Sequence, residues 1–387
     1  MKKLYHENPY IKELDTIVKE QYNENNLTYI IPEETIIYPE GGGQPSDKGY
    51  INDNEIIDIK IDNDKIAYGV NSNIKKNSIR MSIDFEKRYD HMQQHTGQHL
   101  LSEIIMRKFN AQTLSFSIGE KHSSIEIGLK SLSEESIREI EKDCFNIILE
   151  NRKIKTYIID DKDPVMDKLR KPPKVQNNIR IIEIDDFDYS ACGGTHLKST
   201  GELGLLKIIK TDKVRGNIRL YYVAGNRALK DYQNKNTIVN DIQKELGKQI
   251  DKIADTVKKY KTENERLRKE LKHYKKIEMD KDIEEMKNST DNFIVREFND
   301  FDIKDIKYFA KNMVGAGKNL LVYSKSPKQY MIVATSNNDI DLRKRSQEIF
   351  SILKGRGGGR NDFIEGTVGD FSKIAELTEY LKNTLNF

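Results

Sequence analysis

Two histidines four residues apart, in His95-Thr96-Gly97-Gln98-His99, are matched far downstream by a cysteine and a histidine in Cys192-Gly193-Gly194-Thr195-His196. One sulfur and three imidazole nitrogens are the ligand set of a tetrahedral zinc site. The first pair falls in a segment with helical apolar spacing (Leu100, Leu101, Ile104, Ile105), where an i, i+4 step puts both rings on one face. The second pair follows the strand-like run at 179–184, and its two glycines permit a tight turn that brings thiolate and imidazole to one point. Either pair alone is ordinarily surface or core. Together they carry weight, because the chain has only 7 histidines and 2 cysteines and four of them fall at ligand spacing. His91 extends the helical face by one turn and reads as a neighbour, not a fifth ligand. Cys144, beside Phe145, Ile147, Ile148 and Leu149, reads as a small buried apolar residue.

The elements that must position these groups follow from patterning. Residues 1–85 read as a small β-rich domain of short strands (28–31, 35–38 and 56–61) and turns, interrupted by Tyr38-Pro39-Glu40-Gly41-Gly42-Gly43-Gln44-Pro45, where three glycines permit close approach of another backbone or a ligand. Residues 86–225 read as an α+β domain holding the zinc: a helix at 88–109, strands at 113–118 and 123–127, and a helix at 134–151 with Ser133 as its N-cap. A proline-containing loop then leads to the strand before the cysteine motif, and strands at 203–209 and 218–224 close the domain. Residues 226–291 read as one long charged helix. Leu246, Ile250, Ile253, Val257, Tyr260, Asn264, Leu267, Leu271 and Tyr274 form an a/d seam, which predicts a coiled coil and favours a homodimer over a hairpin within the chain. Residues 292–387 read as a small α/β domain with a glycine-rich loop, Gly355-Arg356-Gly357-Gly358-Gly359-Arg360-Asn361-Asp362, between its last two helices. Glycines flanked by guanidinium groups suit phosphate or ribose contact, and also form plain turns.

Composition narrows the classes of function. A length of 387 residues suggests two or three domains. Charges and Pro9 break the first residues, so no signal-peptide core is expected, and no apolar run approaches the ~18 residues of a membrane span. Two cysteines without an export signal place the protein in a reducing cytoplasm. The net charge of +3 hides a local cluster at 207–230 (Lys207, Lys210, Lys213, Arg215, Arg219, Arg227), which reads either as a phosphate-attracting patch or as a solvated strand face.

On these motifs the chain resembles the long form of the freestanding alanyl-tRNA editing proteins, relatives of the editing and C-terminal domains of alanyl-tRNA synthetase. The resemblance rests on the Tyr38–Gln44 motif with Asp47 and Gly49, on residues 92–101, on Ser115-Phe116-Ser117-Ile118-Gly119, on Ala191 to His196, on Gly201-Glu202-Leu203-Gly204 and on the loop near Gly358. It implies a hydrolase that cleaves the ester joining a wrong amino acid, chiefly serine with glycine as a second candidate, to tRNA(Ala). The implied cofactor is one Zn2+ per chain held by His95, His99, Cys192 and His196, and the implied partner is tRNA rather than DNA or a membrane. A synthetase pocket for alanine cannot strongly reject an analogue that is smaller or merely adds a hydroxyl, so a second hydrolytic site raises fidelity. Thr96 and Gln98 are expected near the chemistry. Gly42, Gly43, Gln44, Ser115 and Ser117 are expected at the substrate, with Gln44 donating to phosphate or ribose, and Arg356, Gly358, Gly359 and Arg360 on the tRNA. The zinc either polarises the ester and activates water or only shapes the pocket, since four protein ligands also mark closed structural sites. Two rivals stay open: a deacylase for another tRNA, such as Ser-tRNA(Thr), and a non-catalytic tRNA-binding protein that keeps zinc to fold. A phosphoesterase is disfavoured, because no Asp-His-His triplet occurs.

Overall fold

The computed structural model describes the chain except residues 64, 73, 75, 76, 174, 327 and 386. It is a mixed α+β structure in two compact units, Met1–Ile242 and Gln243–Phe387.

In the first unit, six strands close a barrel in the order Glu13–Glu24, Leu27–Pro32, Lys65–Val70, Asn54–Asp62, Gly49–Ile51, Ser78–Ile83. Closure removes exposed edges, so these short strands need no covering layer. Most of them lie outside the sequence-based expectation, because the apolar residues that fill the barrel (Ile30, Ile51, Ile66, Tyr68, Met81) are scattered among charges. The expected strand at 35–38 shrinks to Glu34–Thr35.

The helix Phe85–Phe109 runs through the middle of this unit, buried along most of its length. A helix buried on its polar face needs hydrogen-bond partners for the side chains there. Gln94 does so by pairing with the backbone N–H and C=O of Ala224, at 3.0 and 2.9 Å. Arg88 is fully buried against Asp47, which also accepts from the Tyr38 N–H at 2.6 Å, so the helix start is locked to the segment preceding the glycine motif. Around the helix lie the sheet Leu206–Val214, Asn217–Ala224, Ser123–Ile127, Thr113–Ile118 and the sheet Ile154–Ile159, Ile179–Ile184, Asp188–Ala191. The helix Glu134–Leu149 begins at Ser133, whose hydroxyl accepts from the Ser136 N–H at 3.1 Å, and its Cys144 is core. The expected strand at 203–209 starts at Leu206, because Thr200–Leu203 forms a 3-10 turn.

The long helix is a correction. Asn226–Leu246 ends in a Schellman cap: Gly247 adopts φ +58°, its N–H bonds to Lys244 O and that of Lys248 to Gln243 O, both at 3.3 Å. A 3-10 turn, Ile250–Lys252, then leads into Ile253–Lys287. The seam is thus split after Leu246, and its continuous part carries Val257, Tyr260, Leu267, Leu271 and Tyr274 exposed.

The second unit holds a five-stranded sheet in the order Phe293–Phe298, Asn319–Ser324, Tyr330–Ala334, Phe363–Thr367, Arg356–Gly359. Its first pair is parallel, joined by the crossover helix Ile303–Gly315, and the remaining pairs are antiparallel. Here too the expectation changes. The glycine-rich segment is the edge strand of a hairpin, not a loop, and it needs glycine at 357, where a side chain would collide with the Phe350 ring and the Glu365 carbonyl.

Candidate metal centre

The ligand atoms of His95, His99, Cys192 and His196 all lie within 4.8 Å of one another, a group that can hold a metal ion. Cys192 Sγ stands 3.5 Å from His95 Nε2 and 3.3 Å from His196 Nε2. The outward nitrogen of each imidazole is engaged by the protein. His99 Nδ1 meets Asp188 Oδ2 at 2.7 Å, His95 Nδ1 meets Gln44 Oε1 at 3.0 Å, and His196 Nδ1 meets Thr96 Oγ1 at 3.3 Å. Donating Nδ1–H to these acceptors leaves three Nε2 lone pairs facing the centre, the tautomer that a metal requires. The donor set and its orientation therefore fit a zinc ion.

Electrostatics point the same way. Burial would raise the Cys192 thiol, but the His95 and His196 rings beside it pull it well below its ordinary value, which favours the thiolate. Burial, then the neighbouring His95, pushes His196 down to about 3, the neutral ligand form. Burial also pulls His99 down, yet the hydrogen bonds that Asp188 and Cys192 accept from it outweigh this and lift it to about 9, a basicity for which a metal competes with the proton. Asp188 stays below the usual carboxylate range: burial raises it, but the Arg170 charge and the His99 bond lower it more.

Gly194 is where the two ligand pairs touch. A Cβ there would overlap the His95 ring, so only glycine lets the cysteine turn close on the helix. Behind it Gln44 is completely buried, its Oε1 also accepting from the Thr195 N–H at 3.1 Å and its Nε2 donating to Thr195 Oγ1 at 2.9 Å. Both polar atoms are taken up by the protein. That position orients a ligand, whereas the sequence reading had Gln44 donating to phosphate or ribose.

His95, His99 and Cys192 open onto a cavity of about 580 Å³. Gln98, Gln112 and Thr113 give it polar wall, Phe116, Met106 and Pro172 apolar wall, and Arg170, Lys171 and Arg180 positive charge. Among the described residues no carboxylate lines it. Gly42 is in the wall, while Gly43 sits against the strand Thr113–Ile118, its carbonyl accepting from the Ile118 N–H at 2.8 Å. Ser115 and Ser117 are exposed and outside the lining. They flank Phe116 and so point to the opposite face of the strand, while a β-bulge, in which Glu126 pairs with Ser115 but Ile127 with Thr113, leaves Leu114 extra and brings Thr113 onto the Phe116 side. Thr113 and Phe116 face the cavity instead, with the Phe116 ring centroid 5.0 Å from that of His95. Thr96 is buried behind His196, and Gln98 reaches the cavity with its Nε2 on Ser102 Oγ at 2.7 Å. Arg356, Gly358, Gly359 and Arg360 lie in the second unit on and beside its edge strand, with Arg360 paired to Asp362 at 3.4 Å.

Sequence reading missed four residues at this site. Asp188 carries a faint signal, four positions before Cys192 on an alternating strand. Arg170 pairs with Asp188 at 3.4 Å, Arg180 spans the cysteine turn, and His6 touches Gly193 from 187 residues away; no local pattern marks any of them. The basic cluster resolves toward a paired face: Lys207, Lys210, Arg219 and Arg227 bond Glu141, Asp212, Glu126 and Asp90.

Comparison with known proteins agrees with this geometry. Residues 179–221, which include Arg180, Cys192 and His196, match the family described as threonyl and alanyl tRNA synthetase second additional domain. The chain is 28% identical to alanyl-tRNA editing protein AlaX-L of Pyrococcus horikoshii, covering 95% of each chain. It is 27% identical to alanyl-tRNA editing protein Aarsd1 of Danio rerio, over 90% of this chain and 86% of that one. An alanine–tRNA ligase of Pyrococcus abyssi is 27% identical over 99% of this chain, which spans only 43% of the ligase. Along nearly its whole length, then, the chain is similar to alanyl-tRNA editing protein AlaX-L and, over that same length, to part of an alanine–tRNA ligase.

Proposed function

We propose that the protein is a trans-editing hydrolase that cleaves the ester of mischarged tRNA(Ala), chiefly Ser-tRNA(Ala) and secondarily Gly-tRNA(Ala). The observation that carries this reading is a fully oriented His3Cys ligand set opening on a carboxylate-free, cation-lined cavity, in a chain related end to end to proteins named for alanyl-tRNA editing. A cavity without carboxylates does not repel the phosphates of an acceptor strand.

In this reading His95, His99, Cys192 and His196 hold a Zn2+ ion, which supplies Lewis acidity when bound. The chain's own residues do the rest. Asp188, Gln44 and Thr96 keep the three imidazoles in one tautomer. Gln98, with its Nε2 committed to Ser102, presents Oε1 to the hydroxyl of a seryl group, and alanine leaves that oxygen unpaired. Phe116 and Met106 bound the space beside it and exclude water. Arg170 and Lys171 attract the terminal phosphates. The exposed seam of Ile253–Lys287, with the polar Asn264 setting register, pairs two chains in a homodimer, and the glycine-rich unit contacts the tRNA body through Arg356 and Arg360.

The test is to incubate the protein with Ser-, Gly- and Ala-tRNA(Ala) and with Ser-tRNA(Thr), with and without chelator, and to follow ester loss. Release of serine from tRNA(Ala) with Ala-tRNA(Ala) spared is expected. The matched family is named for threonyl as well as alanyl synthetases, so preferential cleavage of Ser-tRNA(Thr) would move the assignment to that substrate. Tight tRNA binding without ester loss would leave a non-catalytic zinc protein.

A further inference from the structure

Three consecutive carbonyls in the cysteine turn are held from outside it. Arg180 Nη1 donates to Cys192 O at 2.7 Å and to Gly194 O at 2.9 Å, and His6 Nε2 stands 2.9 Å from Gly193 O. A carbonyl only accepts, so His6 Nε2 carries the proton. In a trans peptide plane the N–H points opposite the C=O. Holding Gly193 O therefore aims the Gly194 N–H, which is found on Cys192 Sγ at 3.4 Å. Holding Cys192 O aims the Gly193 N–H away from Arg180, and among the described residues that N–H meets no protein acceptor. Gly193 is exposed in the cavity wall next to Cys192, and a Cβ on it would meet nothing within 4 Å, so the space on its Cβ side is open.

We propose that the Gly193 N–H is the donor that receives the substrate's ester carbonyl oxygen, and that Arg180 and His6 are positioning residues that fix the turn presenting it. This rests on the hydrolase reading above. The water oxygen bonds to the ester carbon, the C=O π pair moves onto the carbonyl oxygen facing Gly193, and the water gives one proton to solvent. Collapse restores C=O and breaks the bond to the ribose oxygen, which takes up a proton, leaving free amino acid and tRNA. A donor aimed at developing oxyanion charge is worth about 10²–10³ in rate.

The experiment uses the full-length zinc-loaded protein and compares His6→Leu with His6→Gln, whose amide retains a donor. Single-turnover cleavage of Ser-tRNA(Ala) at saturation is expected to fall about tenfold or more in the leucine variant, with KM and zinc content unchanged, and to be largely restored by glutamine. In spectra of 15N-glycine-labelled protein, the Gly193 and Gly194 resonances shift in His6→Leu and return in His6→Gln. A wild-type rate in His6→Leu, a loss that tracks zinc content, or a glutamine variant as slow as leucine overturns the inference. If His6→Leu does not fold, Gly193→Pro removes the donor, with zinc content measured to verify that the turn at Cys192 is kept, and an undiminished rate there overturns it equally. A wild-type protein that cleaves none of the four esters overturns the function itself, an outcome distinct from an active wild type matched by an equally active His6→Leu.

Discussion

Asp188 Oδ2 lies 2.7 Å from His99 Nδ1, and the same carboxylate accepts from Ser190 Oγ at 3.0 Å and pairs with Arg170. It orients one metal ligand and ties it to a cation in the cavity wall. Asp188→Asn keeps the shape and removes the charge. Metal affinity is expected to fall about 10- to 100-fold, measured by competition with a chromophoric chelator.

Gly193 and Gly194 are adjacent but sterically opposite. Gly194→Ala drives a methyl into the His95 ring and is expected to abolish stoichiometric zinc binding. Gly193→Ala keeps the metal, because its Cβ enters open space. Elemental analysis of the two purified variants checks the contrast.

Gln98→Leu removes the acceptor offered to a seryl hydroxyl while keeping the bulk of the side chain. Its kcat/KM on Ser-tRNA(Ala) is expected to drop about tenfold or more, an effect of about 1–3 kcal/mol, whereas Gly-tRNA(Ala) cleavage changes little. Parallel kinetics on the two esters give the answer.

The exposed positions Leu267 and Leu271 occupy the centre of the uninterrupted seam. In the homodimer reading, Leu267→Glu with Leu271→Glu converts a particle of twice the 45.0 kDa chain mass into a monomer. Sedimentation velocity on both proteins reads this directly.

His91 is buried beside the helix start, its Nδ1 lacks a hydrogen-bond partner, and burial pushes its pKa from 6.5 down to about 4. Its folded pKa is below its unfolded one, so the unfolded chain binds the extra proton between these values. Stability from this residue is complete above pH 6.5 and declines as pH falls toward 4, by about 3 kcal/mol for a shift of this size. Urea unfolding of wild type and His91→Leu across pH 4–7 should show a shallower slope in the variant.

The ligand quartet was legible because its chemistry is local: i, i+4 on a helix, and Cys-x-x-x-His on a glycine turn. The helix at Glu134–Leu149 was legible for the same reason, being set by periodicity and its Ser133 cap. What orients the ligands was not. Gln44, Asp188 and His6 act across 51, 89 and 187 residues, and no pattern within a window encodes such a meeting. Ser115 and Ser117 flank Phe116 on a regular stretch of strand, so simple alternation turns them away from the cavity that Phe116 lines. The barrel hid because its inward residues come from strands studded with charge.

The dependence of His95 on Gln44 has a temporal side. During synthesis the helix pair emerges about 93 residues before Cys192 reaches the same point, and two imidazoles without their thiolate hold zinc weakly. Only when His196 has left the ribosome, and the glycine motif has already docked, does a high-affinity site exist. In the zinc-bound reading, metal capture would report that the barrel, the buried helix and the cysteine turn have each reached their places, and a chain that failed at any one of them would stay metal-poor.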